Sequence, residues 1–118
     1  MTGEQQLYRI LSADTTLAGL VDTRIYQDVI PQPDELPAVV YSRSGTEPVT
    51  TIHGDTPGAF AQLQAQVWAK TRSAAEAVSA AVVAALLAEG ETYTARGALY
   101  DEETKAHGIA IDVTLFET

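Results

Sequence analysis

Hydrophobic and polar positions change period several times along the chain. Leu7, Ile10, Leu11, Leu17 and Leu20 recur at helical spacing between Glu4 and Val21. Asp14-Thr15-Thr16 interrupts that run with side chains that accept hydrogen bonds from the first amides of a helix. The pattern therefore predicts a helix, a break and a short second helix. Arg24 to Val29 reads as a short strand. Pro31, Pro33 and Pro37 follow closely, and proline lacks the amide that a sheet ladder needs, so this stretch predicts an irregular, extended connector. Ala38 to Arg43 is β-branched and aromatic and predicts a second strand. Ser44 to Gly58 holds two prolines, several threonines and internal glycines, which predicts a long loop or a mobile hairpin tip.

The most regular alternation follows. Ala59, Ala61, Leu63, Ala65, Val67 and Ala69 fall on one side of a strand, and Phe60, Gln62, Gln64, Gln66, Trp68 and Lys70 on the other. One side suits a core and the other suits water. Ser73 with Glu76 forms a capping-box pattern ahead of a helix, and Gly90 stands where that helix should stop. Val78, Val82, Val83 and Leu86 make a bulky stripe on this helix, fit to pack on a sheet. Ala77, Ala80, Ala81, Ala84 and Ala88 make a smooth apolar back. Such a back fits either a neighbouring subunit or an ordinary alanine-rich surface. Thr92 to Tyr100 and Ala106 to Glu117 read as two strands joined by an acidic turn at Asp101-Glu102-Glu103. With no strand–helix–strand rhythm, the order predicts one α+β domain over residues 1–118. It has a mainly antiparallel sheet of about four to five strands and two main helices on one face.

Composition narrows the chemistry. The 118 residues carry 16 acidic and 7 basic side chains and a net charge of −9, which disfavours wrapping nucleic acid through its phosphates. The absence of cysteine removes disulfides, thiolate metal sites and cysteine nucleophiles. No basic-then-apolar leader opens the sequence, and Ala77 to Ala88 is too short to cross a bilayer, so the expectation is a cytosol-like setting without a membrane. Neither His53 nor His107 has a His, Asp or Glu four residues on, as a helical metal pair would need. No phosphate-binding loop, dinucleotide fingerprint or nucleophile elbow is present. Clustered acids at a turn are solvated rather than set across a pocket as an acid–base pair. No catalytic residue, metal ligand or cofactor site is expected. Phe60 and Trp68, at the ends of the polar side of the long strand, are either interface anchors or covered locally.

These signatures, in this order, resemble the tail-completion (tail-terminator, or head-to-tail joining) proteins of long-tailed bacteriophages and prophages. The resemblance is carried by the opening Leu7–Leu20 helix pattern, Arg24-Ile25-Tyr26 and the proline connector into Pro37-Ala38-Val39-Val40-Tyr41. Gln64-Ala65-Gln66-Val67-Trp68-Ala69 leading into the Ser73 helix, and Ile109-Ala110-Ile111-Asp112-Val113, complete it. It implies a non-enzymatic virion protein of the tail neck, assembled in the host cytoplasm without a cofactor. Such a subunit forms a ring, expected to be a hexamer, on the tail-tube protein. The ring ends tube growth and meets the head connector, while DNA passes through without specific binding. Candidate contact residues are Phe60, Trp68, Ala77, Ala81, Ala84, Ala88, Arg43, Glu47, His53 and Asp55, with Asp101, Glu102 and Glu103 as a candidate acidic lumen. Two other readings stay open. One is a different neck or head-completion protein; the other is a small ligand-binding domain or enzyme built on His53 and Asp55, which would need a deep apolar pocket with converging polar groups.

Overall fold

The computed structural model describes residues 2–30, 36–50, 53–54 and 57–117. Its elements are α1 (Gly3–Ala13), α2 (Thr15–Val21), β1 (Ile25–Gln27), β2 (Ala38–Val49), β3 (Gly58–Ala69), α3 (Arg72–Ala88), β4 (Tyr93–Asp101) and β5 (Ala106–Glu117). Five strands form one sheet in the order β1-β2-β3-β5-β4. Only β1–β2 is parallel; the other three pairings are antiparallel. The fold is α+β, with the helices on one face.

The break between the first two helices is chemical. Asp14 closes α1 and caps α2, its Oδ1 accepting from the Leu17 amide at 2.8 Å. At the other end of α1, Thr2 and Gln5 form a reciprocal capping box. The cap of α3 differs from the sequence expectation. Thr71 holds the extended conformation and its Oγ1 accepts from the Ala74 amide at 3.1 Å, so Ser73 already lies inside the helix. Glu76 pairs with Arg72 instead, one turn away. Gly90 (φ 77°) takes the left-handed position just past the helix, where a side chain would be strained.

β3 is the centre of the sheet, and its alternation is realised residue by residue. Ala61, Leu63, Ala65, Val67 and Ala69 are buried under the helices. Around them gather Leu7, Ile10 and Leu11 of α1, Leu17 and Val21 of α2, Val78, Val82 and Leu86 of α3, and Ile109, Ile111, Val113 and Leu115 of β5. Ala81 also belongs to this core, at 5% exposure, and not to the alanine back of α3. It adjoins Val78, Val82 and Ala85 on the buried stripe, whereas Ala77, Ala84 and Ala88 face solvent.

The stretch from Ser44 to Gly58 is strand for much of its length. β2 continues to Val49 and pairs with β3 as far as Val49↔Gly58, past a bulge between Arg43 and Gly45. Ladder pairing there prevails over the turn-forming preferences of Gly45 and Pro48. With β5 running alongside to Glu117, the three strands make an arm, and the molecule measures 51 × 29 × 22 Å.

Leu63→Ala should cost about 2–5 kcal/mol of stability, because its side chain is buried at the sheet–helix junction and leaves a cavity. Urea denaturation followed by circular dichroism checks this; a loss below about 1 kcal/mol would show that the helices do not close over β3.

Candidate interaction site

The helix-free face of the sheet is polar in its middle and aromatic at its ends. Phe60 lies opposite Phe116 on β5, and the rings meet edge-to-face with centroids 5.6 Å apart. Both remain substantially exposed, at 40% and 42%. Phe60 is therefore half of an aromatic pair whose second member sequence reasoning missed. Glu47, opposite Phe60 on β2, is exposed beside them.

Trp68, at the other end of β3, is half-buried and engaged within the subunit. Its ring lies against Gly108 on β5, where a Cβ would come within 2.8 Å of the indole, so glycine makes room for it. Between the two ends runs a directional chain of hydrogen bonds. Trp68 Nε1 donates to Gln66 Oε1 (3.2 Å), Gln66 Nε2 to Gln64 Oε1 (2.8 Å), and Gln64 Nε2 to Asp112 Oδ1 (3.0 Å).

Beside Trp68 is an open cavity of about 430 Å³, lined by Asp28, Ile30, Leu36, Val40, Lys70 and Asp101 among others. Asp101 also accepts from the Glu103 amide at 3.0 Å, which shapes the acidic turn and leaves Glu102 and Glu103 in solvent. His53 is exposed and lies in the β2–β3 connection, the full length of β3 away from this cavity. Asp55 lies outside the described residues. His53, one of the two residues proposed for an enzyme-like site, is thus not at this opening. Among the described residues, no group of three or more His, Asp or Glu could hold a metal ion, and no helix is long and apolar enough to cross a membrane.

Arg43 has a role inside the subunit. Its Nη2 meets Glu4 Oε1 of α1 at 2.6 Å and Glu117 Oε2 of β5 at 2.7 Å, and its Nη1 donates to Glu117 Oε1 (2.9 Å) and Thr46 Oγ1 (2.7 Å). The Gly3 amide donates to the same Glu117 carboxylate at 2.6 Å. One guanidinium thereby joins β2 to both ends of the chain. The Arg43 hydrogen bonds, supported by the Gly3 amide, hold the Glu117 carboxyl down at about 2, and Arg43 holds Glu4 below its ordinary value.

A family model described as "Tail completion protein gp17" matches residues 5–117, nearly the whole chain. The chain belongs to the tail completion protein gp17 family. This makes it a structural protein of the phage tail, and its family is not one of enzymes. A solved chain titled "Virion of native gene transfer agent (GTA) particle" shares the fold, with a TM-score of 0.78 and 24% identity over 93% of this chain and 90% of that one. No curated protein matches.

The charge cluster gives the tail completion fold a defined acid response. A depressed carboxyl stabilises the folded state fully above its ordinary value of 4.5 and loses that contribution as pH falls toward 2. Arg43→Met should lower the melting temperature by several degrees at neutral pH. The gap from the unmodified protein should narrow as the pH is taken from 5 to 2, and a gap constant across that range would show that the carboxylates do not carry the effect.

Proposed function

We propose that this protein assembles as a ring, most simply a hexamer, on the head-proximal end of the tail tube. There it ends tube polymerisation and offers its outer surface to the head connector. The observation that carries this reading is the family match across residues 5–117, which takes in all of the fold but the first two residues of α1. The gene transfer agent chain, taken from a virion, supports a place within a particle. A ring of identical subunits needs two different patches that meet around a closed circle. The exposed Phe60–Phe116 pair with Glu47, the cavity beside Trp68, and the Ala77–Ala84–Ala88 back of α3 are the proposed contacts with neighbouring copies, tail tube or connector, with the exposed His53 in the β2–β3 connection. Ala81, buried in the core, is closed to such a contact.

Six copies at −9 each carry a formal charge of −54. Acids around the passage would repel DNA phosphates and let the genome slide through without binding. Asp101, Glu102 and Glu103 are the proposed contributors, since they cluster at one exposed turn.

Two measurements test the proposal. Phage or prophage particles made without this protein should carry overlong tails, with tube length restored by the intact gene; tails of normal length would overturn the terminating role. Replacing Asp101, Glu102 and Glu103 by Asn and Gln should leave tails of normal length but reduce DNA delivery, measured as infectivity per particle. Unchanged infectivity would remove those three residues from the passage.

A further inference from the structure

The sheet ends in two long edges on opposite sides. On one side, among the described residues, β4 pairs only with β5, and every residue from Tyr93 to Tyr100 is exposed. This edge contains neither proline nor lysine, which commonly blunt an edge; its one irregularity is a register shift between Tyr93 and Ala95, and it displays Tyr93, Leu99 and Tyr100. On the other side β1 covers β2 only at Val39, Val40 and Tyr41. Beyond that, among the described residues the outer side of β2 is unpaired from Ser42 to Val49, a stretch that carries the bulge after Arg43 and has Pro48 next to its last residue. The free stretch of β2, Ser42 to Val49, is eight residues long and β4, Tyr93 to Asp101, is nine.

We propose that these two edges pair with each other between copies, β4 of one subunit adding to the distal half of β2 of the next. The inference rests on the ring reading above and specifies the contact that closes it.

Topology fixes the sense of the pairing. β2 and β5 both run opposite to β3, and β4 runs opposite to β5. A neighbouring sheet placed alongside with its helices on the same side therefore brings its β2 antiparallel to β4, the arrangement that tolerates isolated strand addition. Register fixes a stagger as well. Gly97 at the middle of β4 is level, through Ala110, with Gln66 of β3, whereas Glu47 of β2, on the same side of the sheet, is level with Phe60. Six residues of strand correspond to an offset of about 20 Å between successive copies. Such a stagger tilts strands against the axis of a closed assembly, as in barrels, and leaves β1 free of the contact. The contact is heterologous, so it propagates around a circle rather than stopping at a pair.

The cysteine-free sequence allows a direct test. Glu47 and Gly97 both lie on the helix-free side of their strands, Glu47 is exposed, and a side chain at Gly97 would meet nothing within 4 Å. Glu47→Cys with Gly97→Cys, and as a second register Glu47→Cys with Leu99→Cys, would be oxidised and run on denaturing gels, alone and with purified tail tubes. The expected result is a ladder of covalent multimers from one of the double variants, while each single variant yields dimers at most. A charged edge, Ala98→Lys with Leu99→Lys, should abolish multimers while circular dichroism of the monomer is unchanged.

The failures separate. Multimers of the unmodified protein by light scattering, with no ladder from either double variant, would overturn edge pairing and leave the ring standing. Dimers of Gly97→Cys alone in place of the ladder would show β4 pairing with itself, which also overturns the inference. An unmodified protein that stays monomeric even on tail tubes would overturn the ring and the edge contact together.

Discussion

One-sided burial of β3 is the constraint on which the rest of this molecule depends. Its inward positions are three-fifths alanine, with Leu63 and Val67 between them, and the small side chains let α1 and α3 approach the sheet closely. Because β3 lies at the centre, its register sets which side of β2 and β5 is buried as well. A slip by one residue would turn five buried side chains to water and bring glutamines into the core. The helices cover only part of the sheet, so the same strands extend past them as an arm and leave β4 bare at the border.

Arg43 adds a charged tie between α1, the arm and the end of β5, beside the β3–β5 ladder and the Gln6 side-chain amide that donates to the Phe116 carbonyl. Its guanidinium sits between carboxylates from α1 and β5, and the first helical amide shares one of them. Two anions flank one cation, and both oxygens of Glu117 and Oε1 of Glu4 are bonded, so the partly buried guanidinium is matched by opposite charge on both sides. The cation that looked available for a partner is thus consumed in holding the subunit together.

Local signals were legible in the sequence and distant ones were not. The break at Asp14, the alternation from Ala59 to Ala69, the stop at Gly90 and the final hairpin all rest on spacing within a few residues, and the structure reproduces them. The distal half of β2 was hidden because Gly45 and Pro48 have turn-like preferences that only a paired neighbour overrides. Ala81 was assigned to the outer back because alanine carries no bulk to mark which way it faces. Ser73 and Thr71 are both good caps, and the abrupt end of β3 at Ala69 decides between them. The Glu4–Arg43–Glu117 cluster joins residues 39 and 74 positions apart, and no periodicity reports such a meeting. The pairing of Phe116 with Phe60 follows only from the β3–β5 register.

The hydrogen-bonded row from Trp68 to Asp112 has a sense, like an arrow. An indole nitrogen can only donate and a carboxylate can only accept, so the two ends leave Gln66 and Gln64 a single amide orientation between them. Glutamine is ordinarily among the side chains with most rotational freedom to lose. Here that freedom is already spent within the subunit, so whatever comes to lie on this part of the sheet meets a polar surface set in advance, much as cut type meets paper.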